Sequence, residues 1–359
     1  MTQKILHIIP RFYPGGAERL VLEYATHLDP TMYEVHVASC VDDGTLLPAF
    51  EQTEVHLFVG SKHKQGGRLA ILRDLKKYVR EIRPDIIHTH LMSGDTVGYL
   101  LKRTFPSITW ISTLHNTEYD RPWYYRAVWR FILQRADKIV AVSDGVKTYA
   151  EKTFHMLPER IIMIPNGIDT ARWKHIDTKL FANIPYQLAT IGRLEEQKGH
   201  TYLLDALASL PEQNWEYHLY GDGSLRDNLS KQAQDLGIAS NICMHGNVDN
   251  LPEELATIDL VIQPSLWEGM SLTVMEAIAA GKPVLATFPA AEGILEDTNT
   301  GYIVSPADPQ MLRVALERIL SHTDEAIQIA KAGRKKALKD FDINKHIERI
   351  EKIYHSVLL

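Results

Sequence analysis

Sulfur is scarce in this chain. Its 359 residues include two cysteines, Cys40 and Cys243, far apart in sequence. Two such residues support neither a disulfide framework nor a zinc site of paired thiolates, and they fit a reducing cytosol. Long apolar runs are missing as well. No window reaches the roughly 18 apolar residues of a membrane span, and the apolar start in "MTQKILHIIP" is too short for a signal peptide. Surplus positive charge is absent: 39 Lys and Arg face 45 Asp and Glu, a net charge of −6. That balance argues against a dedicated nucleic-acid surface. Low-complexity segments and short-period repeats are absent too. The expected location is the cytoplasm, with peripheral contact at the inner face of the cell membrane left open.

What is there is an ordinary globular mixture, 45% apolar and 23% charged, with enough apolar material for two domains. Short β-rich runs alternate with helical patterns. Lys4–Ile9 and Val35–Ser39 read as strands, followed by "PDIIHTH", "ITWIST" and "KIVAVS". Ala17–Leu28 and Leu69–Arg83 read as helices. After the turn-rich "IPNGIDTARW" the alternation restarts, with strands in "QLATIG", "WEYHLYG", "NICMHG", "DLVIQP" and "KPVLAT". Such βα alternation predicts α/β architecture: two Rossmann-like, doubly wound parallel sheets facing a cleft. We divide the chain into a first Rossmann-like domain 1–168, a linker 169–184, a second Rossmann-like domain 185–340, and a C-terminal helix 341–359 that packs back on the first domain. Ligands of such sheets bind beyond the carboxyl ends of the strands.

Just there, after "DLVIQP", stands "PSLWEGMSLTVMEAIAAGKPV". Glu268 and Glu276 lie eight positions apart in an otherwise almost uncharged stretch. Ser271 or Thr273 can cap the helix that follows, about ten residues long, and Gly281 with Pro283 can end it. Its amino end is an anion site, and Gly269 allows close backbone approach. Thr273 and Glu276 could instead form a capping box, and Glu268 could be a solvated loop acid. A retaining glycosidase pair needs its carboxyl groups about 5 Å apart. Eight mostly helical residues place them nearer about 10 Å. That spacing suits two ends of one elongated ligand, a sugar at one carboxylate and a ribose at the other.

In "IGRLEEQKGH", Arg193 and Lys198 sit near a helix amino end, where cations oppose the dipole. An anionic ligand explains them, and neutralisation by Glu195 and Glu196 is the bland alternative. Gly15-Gly16 after the first strand permits close backbone approach but does not complete a dinucleotide fingerprint. His115 ends a strand and can donate a hydrogen bond to a sugar hydroxyl. His88 and His90 share a strand face, but no third ligand has metal-site spacing. Gly221, Gly223 and Gly246 would let a base lie against backbone, with Val248 beside it.

Glu268-Gly269 followed by Glu276-Ala277 resembles the E-x7-E motif of retaining glycosyltransferases, especially family 4 with its two-domain GT-B fold. Met270 and Ser271 stand where Phe and Gly or Pro are common, a departure that bears on donor-pocket shape. The resemblance covers nearly the whole chain. It implies a metal-independent hexosyltransferase that acts with retention. Arg193 and Lys198 would hold the donor diphosphate, Glu268 would orient the sugar, Glu276 the ribose, and His115 would touch the transferred sugar. Gly16, Val248, Gly269, Met270, Ser271 and Leu272 would complete the donor contacts. The implied partners are a UDP- or GDP-sugar and a glycan or lipid-linked acceptor of cell-envelope synthesis, with no cofactor and no metal. A UDP-sugar 2-epimerase on the same fold and a non-catalytic nucleotide-sugar-binding subunit remain the alternatives.

Basic residues cluster at Lys62, Lys64, Arg68, Arg73, Lys76, Lys77, Arg80 and Arg83, and "RPWYYRAVWRFILQR" mixes arginines with aromatics. In an acidic protein both stretches point to an anionic membrane surface or a lipid pyrophosphate, or else to a solvated face over an ordinary core helix.

Overall fold

The computed structural model describes residues 2–42, 44–60, 67–118, 121–173, 179–212, 214–248 and 250–358. The chain forms two compact units, Met1–Gly167 with Ile343–Leu359, and Ile168–Asp342.

The first unit holds strands β1 (Gln3–Arg11), β2 (Tyr33–Asp42), β3 (His56–Phe58), β4 (Ile86–His90), β5 (Thr109–Leu114), β6 (Lys138–Ala141) and β7 (Ile161–Met163). They form one parallel sheet in the order β3-β2-β1-β4-β5-β6-β7. Its central strands are buried on both faces, so β4 reads "IIHTH" with every residue buried, and its two histidines are core residues. The C-terminal helix Ile343–Leu358 belongs to this unit. Its apolar stripe, Ile343, Ile347, Ile350 and Ile353, joins a core cluster with Ile5, Ile9, Leu20, Val21 and Val37. Residues four and three apart share one helix face, and that spacing makes the stripe.

The second unit holds β8 (Tyr186–Ile191), β9 (Trp215–Tyr220), β10 (Ile242–Gly246), β11 (Leu260–Gln263), β12 (Val284–Thr287) and β13 (Tyr302–Val304). These are again parallel, in the order β10-β9-β8-β11-β12-β13. Leu188, Leu203, Leu207, Trp215, Leu219, Leu260, Ile262 and Leu316 fill its core. The doubly wound parallel architecture expected from the βα alternation is present in both units.

Helices Pro309–Ser321 and Thr323–Asp340 were not anticipated. The first carried a readable signal. Asp308 caps it by accepting from Met311 N–H at 2.9 Å, and Pro309 occupies its first turn.

Candidate active site

In the second sheet the chain order reverses between β8 and β11. In doubly wound sheets this reversal is the switch point beyond whose strand carboxyl ends ligands bind. The two loops at that point carry five of the residues singled out by sequence: Arg193 and Lys198 after β8, and Glu268, Gly269 and Met270 after β11.

The loops are stitched together before any ligand is considered. Leu266 N–H donates to Gln197 O at 2.8 Å. Gly199 adopts φ +64°, and a Cβ there would lie 2.1 Å from Pro264 O. Only glycine allows the two backbones to approach so closely.

Across this seam Lys198 Nζ donates to Glu268 Oε1 at 2.5 Å, with the side chains 13% and 10% exposed. The same carboxylate oxygen accepts from Ser265 Oγ at 2.9 Å, and Ser265 Oγ accepts from Gln263 Nε2 at 2.9 Å. Gln197 is buried, and its Nε2 donates to Trp267 O at 2.9 Å. Its Oε1 accepts from Arg193 Nη2 at 3.2 Å. Arg193 is exposed, steadied by a buried amide. Glu195 does not pair with Lys198. It accepts from Ser224 N–H at 3.0 Å and Ser224 Oγ at 2.7 Å, and those bonds hold its carboxyl below the usual range. Lys198 is therefore balanced by Glu268, seventy residues along the chain, and not by its sequence neighbours.

The helix after the second loop runs Leu272–Ala279, shorter than the ten residues expected. Ser271 is its N-cap, its Oγ accepting from Val274 N–H at 3.4 Å. Thr273 lies inside the helix and donates from Oγ1 to Ile191 O at 3.5 Å, so Thr273 and Glu276 are not the cap and third residue that a capping box requires. Glu276 lies in the second turn and is buried, as are Gly269, Met270 and Ser271, whereas Leu272 is half-buried. Gly281 closes the helix at φ +77°, with Gly281 N–H bonded to Ile278 O and Lys282 N–H to Ala277 O. The arrangement presents Arg193, the Lys198–Glu268 ion pair and a capped helix amino end at one edge of the sheet. Such an edge favours an anion.

The glycines beyond β9 and β10 divide. A Cβ at Gly221 would lie 2.0 Å from Gly192 O, and one at Gly223 would lie 2.5 Å from Leu194 O. Both are required by the close packing of the neighbouring strand-end loop. Gly246 has nothing within 4 Å of its added Cβ. Val248, two residues on, is half-buried.

Gly16 and His115 lie in the first unit. Gly16 begins the helix Gly16–His27, which follows β1, and half-buried His115 stands directly after β5. His115 Nε2 meets His90 Nδ1 at 2.9 Å, and His90 Nε2 meets His7 Nδ1 at 3.2 Å. Sequence reasoning missed His7. It pairs with β4 only through the sheet register, His7 opposite His88. His7, His88 and His90 bring ring nitrogens within 4.8 Å of one another, as do a carboxylate and two rings of Glu34, His36 and His56. In each group one ring has both nitrogens already hydrogen-bonded. His88 binds Tyr354 OH and Thr113 Oγ1, each at 2.7 Å, and His36 binds Tyr78 OH at 2.7 Å and Glu34 at 2.9 Å.

Residues 14–172 match the family described as Glycosyltransferase Family 4, and residues 171–336 match Glycosyl transferases group 1. The chain is 22% identical over 379 aligned positions to UDP-Gal:alpha-D-GlcNAc-diphosphoundecaprenol alpha-1,3-galactosyltransferase of Escherichia coli, covering 98% of this chain and 96% of that one. It is 24% identical to the putative glycosyltransferase EpsF of Bacillus subtilis, covering 93% and 89%. The crystal structure of HepE from Anabaena, in complex with UDP and glucose, superposes with a TM-score of 0.87 at 24% identity, covering 99% of this chain and all of that one. Two parallel sheets of this order, tiled end to end by those two family domains, make the chain a glycosyltransferase of the GT-B fold, group 1.

Proposed function

We propose that this glycosyltransferase moves a hexosyl group from a nucleotide sugar to a hydroxyl of a glycan or lipid-linked acceptor in cell-envelope polysaccharide synthesis, with retention at the anomeric carbon and without a divalent ion. The observation that carries the proposal is the Lys198–Glu268 pair set beside Arg193 and the amino end of Leu272–Ala279 at the switch point of the second sheet. UDP is favoured over GDP as the carrier because HepE binds UDP and the E. coli relative uses UDP-Gal. The same relative's acceptor is a diphosphoundecaprenol, which supports a lipid-linked acceptor here.

The second unit holds the donor. Arg193, Lys198 and the helix N–H groups stabilise charge on the departing diphosphate, the work a metal ion would otherwise do. Glu268, anchored by Lys198 and Ser265, orients sugar hydroxyls. Glu276 accepts from the ribose. Gly269, Met270, Ser271 and Leu272 line the diphosphate and sugar, and Val248 flanks the base. In the first unit Gly16 and His115 contact the donor and its sugar, and the acceptor binds there. The leaving phosphate oxygen takes the acceptor's proton, and the acceptor oxygen bonds to the anomeric carbon on the face the phosphate leaves. No enzyme nucleophile is needed.

The test is incubation with UDP- and GDP-hexoses and a GlcNAc-diphospholipid in chelator, with the anomeric configuration of the product read by NMR. An α-linked product from an α-linked donor, lost on Arg193→Ala and Glu276→Ala, is the expected result. An inverted product, or normal turnover in either variant, contradicts the reading. Epimerised nucleotide sugar without acceptor would identify an epimerase.

A further inference from the structure

Three imidazoles stand in file across adjacent strands of the first sheet: His7 on β1, His90 on β4, and His115 just beyond β5. His7 and His90 are fully buried. Burial keeps all three neutral, lowering His7 and His115 to about 3 and His90 well below its usual value; for His90 the neighbouring His88, His115 and His7 lower it further. A neutral imidazole carries one N–H and one bare nitrogen. Two hydrogen bonds linking three neutral rings therefore have two self-consistent settings.

In one setting His7 Nδ1–H donates to His90 Nε2, His90 Nδ1–H donates to His115 Nε2, and His115 is left with its proton on Nδ1. In the other, every bond reverses, His115 Nδ1 is bare, and the terminal proton sits on His7 Nε2. His7 Nε2 is enclosed and has no hydrogen-bond partner among the described residues. The reversed setting would orphan a buried N–H there, whereas the first leaves a bare acceptor. Orphaned buried donors are the rarer of the two in folded proteins. Among the described residues no hydrogen bond engages His115 Nδ1, so that position is available to a ligand.

We propose that His90, with His7 behind it, is a positioning residue that fixes the proton of His115 on Nδ1, so that the ring meets the transferred sugar as a hydrogen-bond donor. A hydroxyl oxygen of the sugar accepts it. The catalytic consequence rests on the role proposed above for His115; the tautomer does not.

The experiment uses ring-15N-histidine protein, free of ligand, at neutral pH, with His115 assigned by the signal lost in His115→Gln. The expected wild-type spectrum shows the His115 proton on Nδ1. His90→Asn supplies an amide N–H where His90 Nδ1–H was and keeps that tautomer. His90→Asp supplies only an acceptor, moves the proton to Nε2, and lowers kcat/KM at least tenfold more than His90→Asn. A wild-type His115 carrying its proton on Nε2 overturns the proposal even if no variant folds, and so does one tautomer shared by both variants. If the tautomer is as stated but His115→Ala transfers sugar normally, the relay stands and the sugar contact of His115 fails.

Discussion

Lys198 and Glu268 meet at 2.5 Å across two strand-end loops, one after β8 and one after β11. Both are mostly buried, so removing one partner leaves the other charge poorly solvated. Glu268→Gln and Lys198→Met are each expected to cost about 3 kcal/mol in denaturant unfolding. The double variant should cost clearly less than the sum. Additive costs would show that the pair is not coupled.

The seam between those loops also depends on Gly199. At φ +64°, with an added Cβ 2.1 Å from Pro264 O, Gly199→Ala must shift backbone. A loss of about 2 kcal/mol or more is expected. Gly246→Ala is the control: φ is +73° with open space around it, and the conformational cost alone is about 1 kcal/mol. Equal thermal shifts for the two would remove the packing argument.

Acid should unfold the first unit. His7 falls from 6.5 to about 3 on folding because burial penalises its charged form. Its folded pKa lies below its unfolded one, so its contribution is intact above pH 6.5 and is lost as pH falls toward 3. At pH 5 His7 alone costs about 2 kcal/mol. His88 and His90 act in the same direction, because burial and neighbouring imidazoles lower both. Unfolding at pH 7 and pH 5, with His7→Phe as reference, checks the sign. A wild-type stability unchanged over that range contradicts it.

Membrane contact is expected through the helix Trp123–Leu133. It buries Trp129, Ile132 and Leu133 but exposes Trp123, Tyr124, Val128 and Phe131 beside Arg126 and Arg130. Arg68, Arg73, Lys77, Arg80 and Arg83 are also exposed, while Lys62 and Lys64 lie outside the described residues. No helix among the described residues is long and apolar enough to cross a membrane. Salt-sensitive sedimentation with anionic vesicles, reduced by Trp123→Ser with Phe131→Ser, is the expected outcome. Equal sedimentation with neutral and anionic vesicles refutes it.

The parts of this architecture readable from sequence were local. Strands of four residues or more were recognised from their apolar content, and the loop carrying Glu268 from its place between a strand and a capped helix. The strands missed, β3, β7 and β13, have three residues each and sit at sheet edges, too short to show a period. Ser271 and Thr273 both suit a cap, and only the path of the loop decides between them. What pairs with Lys198, and which ring completes the file behind His115, depends on strands 70 and 83 residues away meeting in the sheet. That Gly221 and Gly223 are also needed for packing against the loop after β8 shows only once β8 and β9 are paired in the sheet.

The central claim is that the two loops at the switch point of the second sheet hold a nucleoside diphosphate without a metal. Calorimetric titration of UDP into the full chain in excess chelator tests it most directly. The account predicts saturable binding, unchanged by added Mg2+, weakened at least tenfold by Arg193→Ala and by Lys198→Met. Binding that requires Mg2+, or that survives both substitutions intact, would contradict it.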